Sequence, residues 1–512
     1  MLATNVDEAA RRFGDRPAVV APDGVLTYSQ LSGDSIQFAE RLTQSGIRPG
    51  DVAALVLPSG CDWLVAAVAV NRLGAAYSGI SPVLTPAERS AMVKLIKARL
   101  ILSTPDLVDG LPLRSNVMVI EPGSRGHDHD VPGGCACNVD PSEADTTASG
   151  AVTASFSEGD PAVICFTSGT TGTPKAAMYT EDQLRAIESI DLGPTASEIW
   201  DGGSPMLAST QFAHVGMSTK LPWYVRLGVT LHVMERWRAD AALELVSEQR
   251  MPVIGAIAPQ LALMVRSPLV NELDLSSVNM VIAGGAASPP ALVREVRRAF
   301  SCGYSIRYSS TESGGVGLAT DAISDDESEW ASVGRPRDGV EARIADESDR
   351  EVSDGEVGEL QIRSGATMHS YWNDPAATAA ALTEDRWLRT GDLARIDDHG
   401  RVALVGRRSD MYIRGGYNVF PSEVEATLRE HPGVSDIVIV ATNDDVMGEI
   451  GVALVVPSEG ASTDLDDLRK FGSRALAHYK LPERMMFIDS VPLSSAQKID
   501  RRAAKDLFES AL

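Results

Sequence analysis

Cysteine is scarce here, with five residues (Cys61, Cys135, Cys137, Cys165 and Cys302) spread through a 512-residue chain. An odd, dispersed set excludes a disulfide scaffold and fits a reduced cytosol. Cys135 and Cys137, separated by one residue, could suggest a metal or redox pair, but no second cysteine pair accompanies them. No run of about twenty apolar residues occurs. The first residues, MLATNVDEAARRFGDRP, lack an apolar signal core. The expectation is a cytoplasmic protein without a membrane span. Positive charge is also short: 46 Lys and Arg face 70 Asp and Glu, a formal charge of −24. That balance argues against nucleic acid or an anionic membrane as a main partner. An anionic ligand would therefore need a local basic pocket. Only eight of the basic residues are lysines, so the position of each one is informative.

What is present is ordinary globular material, 44% apolar and 23% charged. The length suggests about two to four structural units. Over the first 120 residues helical patterns alternate with short apolar runs: a helix over 31–45, a strand over 51–58 and a helix over 62–73. This is the rhythm of βα units and a largely parallel sheet. Residues 121–160, rich in Gly, Ser, Asp and Pro, read as loop with at most short strands. From 205 to 320 the βα rhythm resumes, with a buried strand over 278–285. Residues 333–365 read as short strands with charged turns, a small β-barrel-like unit. A second domain is expected from about Arg408. It holds a helix over 421–431, with Ser422-x-x-Glu425 as a capping box, and strands over 434–440 and 451–456.

Residues 166–175, Phe-Thr-Ser-Gly-Thr-Thr-Gly-Thr-Pro-Lys, carry the clearest chemical signal. Hydroxyls and backbone N–H groups on a glycine-bearing loop can wrap a polyphosphate, and Lys175 offsets its charge. The apolar run Pro161 to Phe166 predicts a buried strand leading into it. It is not a Walker A loop, since Pro174 precedes the lysine and Ala176 follows it. A polar surface turn is the competing reading of this segment alone.

The loop resembles the signature of the adenylate-forming superfamily, which comprises acyl-CoA synthetases, aryl-CoA ligases, luciferases and peptide-synthetase adenylation domains. Tyr308-Ser-Ser-Thr-Glu312 and Thr390-Gly-Asp392 resemble further family segments. So do Gly406-Arg-Arg-Ser-Asp410 with Gly415-Gly416 and Glu423-Val-Glu425, and Pro492-Leu-Ser-Ser-Ala-Gln-Lys498. Order and spacing agree from about residue 20 to the C-terminus. The fold implied is α/β, with a large N-terminal domain (1–406), a hinge (407–410) and a small mobile α+β lid (411–512).

The resemblance implies ATP, Mg²⁺ and CoA as reactants and cofactor, and a small carboxylic acid as substrate. ATP would be held by Thr167, Ser168, Gly169, Thr170, Thr171 and Lys175, and by Gly285, Ala286, Tyr308 (against adenine), Ser309 and Thr311. Glu312 would hold Mg²⁺ with Thr311 assisting, and Asp392 and Arg407 would bind the ribose. A plain salt bridge between Asp392 and Arg407 is the competing reading. Lys498 is the expected catalytic cation, touching both the α-phosphate and the substrate carboxylate. Two anions must meet there, so catalysis is chiefly positioning and charge neutralisation. His214 would gate the acid pocket, against the alternative of a hydrogen-bonded structural histidine. Val215, Met217, Gly284, Gly285, Ser309, Gly314 and Gly315 would line that pocket. These mostly small walls suggest a bulky apolar acid. Ala213 and its neighbours offer no aspartate for a substrate ammonium, which argues against a free amino acid. Asp410 is carried over as the hinge, and Arg414, Gly415 and Gly416 as the border of the thiol channel.

Three family glycines are replaced, by Ala176, Ser309 and Gln497. If those positions need positive φ, each replacement costs about 1 kcal/mol or more. The expected function is an ATP-dependent acyl-CoA ligase. Alternatives are loading of an acyl carrier protein, thioester formation from a supplied adenylate, and a catalytically dead sensor.

Overall fold

The computed structural model describes residues 1–112, 116–125, 154–167, 174–195, 198–493 and 499–511. Cys135, Cys137, Ser168, Gly169, Thr170, Thr171, Gln497 and Lys498 lie outside them. The chain divides into two compact units, Met1–Ala342 with Ile362–Leu388, and Arg343–Gln361 with Arg389–Leu512.

In the first unit the apolar runs become buried parallel strands. Val52–Val56 is buried at every position, as a strand covered on both faces must be. It lies between Ala76–Gly79 and Leu100–Ser103 in a seven-stranded sheet. The intervening helices start where side chains supply the missing acceptors. Thr27 and Gln30 form a reciprocal capping box before Tyr28–Gln44, as do Thr85 and Glu88 before Pro86–Ile96. Helix Cys61–Arg72 is buried all round, so it is a core helix and lacks a polar face. At the other side of this sheet Ala176–Tyr179 runs antiparallel to both its neighbours, Val163–Phe166 and Ser370–Tyr371.

A second sheet places Val253–Ala256, Met280–Gly284 and Gly303–Tyr308 in parallel and ends in two short antiparallel strands, Leu318–Ala319 and Arg335–Pro336. A third is built from Gly24–Thr27, Pro17–Ala21, Thr230–His232 and Pro205–Leu207. Expected strand and helix positions agree with the observed ones to within a few residues, and the described parts of 121–160 contain neither strand nor helix.

The second unit carries a five-stranded sheet in which Val434–Asp444 and Gly448–Pro457 form a long hairpin. Helix Pro421–Leu428 packs on that hairpin. The capping box expected at Ser422 is absent. The N-cap residue is Phe420, Ser422 is already inside the helix, and its hydroxyl donates to the Val405 carbonyl at 3.0 Å. Glu425 instead turns inward and accepts from the Ile439 amide at 2.7 Å. The strands expected over 333–365 as one small barrel-like unit are split between sheets: Arg335–Pro336 ends the second sheet, while Val340–Ala345 and Gly358–Ser364 join Leu388–Ile396 and Val402–Arg407 in a four-stranded sheet. Among the described residues no helix is long and apolar enough to cross a membrane.

Candidate active site

The Thr/Ser/Gly loop connects two antiparallel strands, with Phe166 opposite Ala176. Its neck is closed by the Thr167 amide donating to the Lys175 carbonyl at 2.8 Å, with a return bond from the Lys175 amide to Thr167 Oγ1 at 3.3 Å. Backbone pairing therefore sets where Lys175 emerges. Its Nζ lies 5.0 Å from the centre of the Tyr371 ring, within range of a cation–π attraction of about 0.5–2 kcal/mol. The Tyr371 hydroxyl donates to Glu312 Oε1 at 2.7 Å. Burial, then the Glu312 charge, pushes the Tyr371 hydroxyl well above its ordinary value, so it stays a donor. Lys175 and Glu312, separated by the length of a domain in sequence, thus meet around one buried tyrosine.

Glu312 is fixed from behind as well. The Met368 amide donates to its carbonyl at 2.8 Å, and the Tyr179 hydroxyl donates to the Thr311 carbonyl. Gly314 bends the segment with φ 76°, and a Cβ there would lie 2.6 Å from the Ala366 carbonyl oxygen, which explains the glycine. Glu312 Oε2 has no hydrogen-bond partner among the described residues. No group of three or more His, Cys, Asp or Glu among them could hold a metal. One free carboxylate oxygen fits a Mg²⁺ ion whose remaining ligands are phosphate and water.

Of the residues expected on the acid side, those of the 212–217 segment meet Gly315. Phe212 packs edge-on to Trp63, centroids 5.4 Å apart, and its amide donates to Ser59 Oγ at 2.9 Å. Gly79 allows this approach, because a Cβ there would lie 2.6 Å from the Ala213 Cα. His214, so positioned, is exposed and caps the short helix Val215–Ser218, accepting from the Gly216 amide at 3.1 Å. Gly315 lies opposite Gly216, 3.7 Å from where its Cβ would project. Val215 touches the same spot, while Met217 is buried in the core. Gly284 ends its strand and Gly285 and Ala286 follow, while Tyr308 ends the adjacent strand and Ser309 follows. Ala176 lies within a strand, and neither it nor Ser309 has positive φ. These two replacements therefore carry no left-handed strain.

Within the second unit Asp392 and Arg407 are cross-strand partners, with Nε donating to Oδ1 at 3.0 Å. Asp392 is buried and Arg407 half-exposed. Thr390 holds the turn by donating to the Leu360 carbonyl at 2.7 Å, and the Gly391 amide donates to Glu359 at 2.9 Å. Asp410 accepts from Arg501 Nε at 3.1 Å, and the same guanidinium holds Glu425 and the Ile439 carbonyl. Arg414 pairs with Glu483, and Gly415 and Gly416 make the adjoining left-handed turn. Tyr371, Glu359 and Arg501 escaped the reading of the sequence, since none sits in a local motif.

Residues 6–372 match the family model of the AMP-binding enzyme, and 423–498 match the AMP-binding enzyme C-terminal domain. The chain belongs to this family of adenylate-forming enzymes. It is 28% identical to an indoleacetate–CoA ligase of Aromatoleum aromaticum, over 99% of this chain and 98% of that one. It is 30% identical to a Rhodococcus jostii ligase that joins CoA to a 7a-methyl-dioxo-octahydroindenyl propanoic acid, covering 97% of each chain. Among solved structures it is similar to the amide bond synthetase McbA of Marinactinospora thermotolerans, with TM-score 0.84, 27% identity and 99% of this chain covered.

Proposed function

We propose that this chain is an ATP-dependent acyl-CoA ligase acting on a bulky carboxylic acid. The observation that carries the reading is the meeting of Lys175 and Glu312 at Tyr371, beside the neck of the hydroxyl-rich loop. A cation for phosphate oxygens and a carboxylate with one open oxygen stand together there. In the first step a substrate carboxylate oxygen bonds to the α-phosphorus of ATP, and the bond to pyrophosphate breaks. In the second a thiolate attacks the acyl carbonyl and AMP leaves. Bound Mg²⁺ would neutralise phosphate charge as the pyrophosphate departs. Lys175 draws on phosphate oxygens, Glu312 orients, and Tyr371 holds both.

Several roles rest on the family resemblance alone. Thr167, Ser168, Gly169, Thr170 and Thr171 would cradle phosphates. Gly285, Ala286, Tyr308 and Ser309 would bound the adenine, and Asp392 with Arg407 the ribose. Lys498 would contact the α-phosphate, and His214 would gate the acid. Residues 1–406 and 411–512 would move about 407–410, with Asp410 at the pivot and Arg414, Gly415 and Gly416 bordering the thiol path. CoA is the acceptor favoured by the ligase relatives. Transfer to an amine is a second reading, favoured by the likeness to an amide bond synthetase. A carrier-protein phosphopantetheine is a third acceptor to be tried.

The test is pyrophosphate release from ATP, Mg²⁺ and a panel of bulky acids, with CoA, a holo-carrier protein or an amine added in turn. Acid-dependent pyrophosphate, with thioester only on adding CoA, supports the reading. Product from the amine arm alone would overturn the acceptor assignment. Lys498→Ala is expected to lower adenylation about 10²–10³-fold, while thioester formation from synthetic acyl-adenylate persists. Equal loss of both steps would refute its role.

A further inference from the structure

Strand Gly303–Tyr308 carries a charged residue, Arg307, immediately before the tyrosine expected to meet adenine. Side chains alternate along a strand, so Arg307 projects from the face opposite Tyr308. Its register partner on the neighbouring parallel strand is Gly284. A Cβ on Gly284 would lie 3.9 Å from the Arg307 Cβ, so the glycine leaves open space beside the arginine stem. Arg307 thus lies beside Gly284, one of the glycines expected to line the acid pocket.

Its surroundings are rich in cations. Asp191 Oδ2 takes the Lys220 ammonium at 2.6 Å, and Oδ1 takes the Arg337 guanidinium at 2.7 Å. Both oxygens of that carboxylate are thereby engaged. Lys220 directly follows Thr219, whose hydroxyl donates to the Gly314 carbonyl at 3.3 Å, so this cluster adjoins the His214 and Gly314 walls. Arg307 is half-buried within electrostatic reach of Asp191 and Arg337, and its guanidinium has no hydrogen bond or ion pair among the described residues. Burial first, and then the Arg337 charge, pulls its guanidinium down to about 10. Three cations share one carboxylate. A guanidinium held out of water beside another needs an acceptor, and a carboxylate matches its planar fork.

We propose that Arg307 is the anion receptor at the far end of the acid pocket, so that the preferred substrate carries a second carboxylate at the end remote from the one that is adenylated. This rests on the acyl-ligase reading and specifies its substrate class. The body of the acid still meets small apolar walls, and only its tip is charged. Arg307 is a specificity residue, distant from the bond that forms.

The test compares a series of diacids of increasing length with the monomethyl ester of each. Pyrophosphate release gives kcat/KM, and calorimetry gives binding, for the full-length wild type, Arg307→Met and Arg307→Lys. In the wild type at least one diacid should exceed its ester by about 10- to 100-fold, the range of a charge-assisted hydrogen bond. Arg307→Met should bring that ratio to about one, and Arg307→Lys should keep part of it. A wild-type ratio at or below one at every length overturns the proposal. So does a ratio that survives Arg307→Met, or a variant whose only defect is a raised KM for CoA, which would assign the anion to CoA. Failure of the ligase reading is distinguishable, because pyrophosphate would then be absent with every acid. Calorimetry would still decide the receptor, as wild-type protein alone must bind diacid more tightly than ester. Should Arg307→Met not fold, the wild-type ratio and Arg307→Lys carry the decision.

Discussion

Removing one oxygen atom from Tyr371 should slow adenylation without disturbing the fold. Tyr371 is 6% exposed, its ring lies under Lys175, and its hydroxyl donates to Glu312 at 2.7 Å. Tyr371→Phe keeps the ring, and hence the contact with Lys175, and removes only the donor. A hydrogen bond to a charged acceptor is worth about 1.5–3 kcal/mol net. Glu312 is only half-buried, so water can replace the donor and the lower end applies. If that energy serves to hold Glu312 against the metal–phosphate complex, about 1.5 kcal/mol corresponds to roughly tenfold in rate. The assay is acid-dependent pyrophosphate exchange as a function of Mg²⁺, with Mn²⁺ binding followed by electron paramagnetic resonance in the presence of a non-hydrolysable ATP analogue. The variant should need about tenfold more metal, bind Mn²⁺ correspondingly more weakly, and make thioester from synthetic acyl-adenylate at the wild-type rate. Tyr371→Leu, which also removes the ring, should additionally raise KM for ATP. Unchanged metal dependence in Tyr371→Phe would refute the positioning role, and equal losses in both half-reactions would reduce the tyrosine to a packing residue.

Arg501→Met should destabilise the second unit by about 3–5 kcal/mol, because it leaves the buried Glu425 carboxylate without its cation. Limited proteolysis of that unit should accelerate, and adding Glu425→Gln should restore much of the loss; a double variant no better than the single would count against it. Burial pushes Cys61 and Cys165 up to about 12 and Cys302 up to about 11. These thiols should resist alkylation at pH 8 until denaturant is added, as read by mass mapping. A raised folded pKa stabilises fully below the unfolded value, about 8.5, and that stability is lost as pH climbs towards the folded one. The denaturation midpoint should therefore fall between about pH 9 and 11, and rapid native labelling of Cys165 would contradict the burial argument.

Much of the architecture is local and could be read along the chain. Alternating apolar runs and helical periods located the βα units because each strand and helix buries its own face. The hydroxyl-rich loop with its lysine is readable as a candidate phosphate loop because the donors it offers come from consecutive residues. Where reasoning from neighbours failed, a distant partner had intervened. Ser422 looked like a helix cap until the Val405 carbonyl claimed its hydroxyl, and Glu425 faces Arg501, 76 residues away. Ala176 and Ser309 replace glycines without strain, because the strand at one position and the strand end at the other need no left-handed backbone.

By itself the sequence determined the class of enzyme, through short motifs whose chemistry depends on adjacent residues and their order. Tertiary structure alone decided how those motifs meet. Tyr371 reaches Glu312 across 59 positions, and Arg337 reaches Asp191 across 146. Such contacts depend on which strands become neighbours. That choice is made by burying apolar surface over the whole unit, and it leaves no periodic trace near the residues it joins.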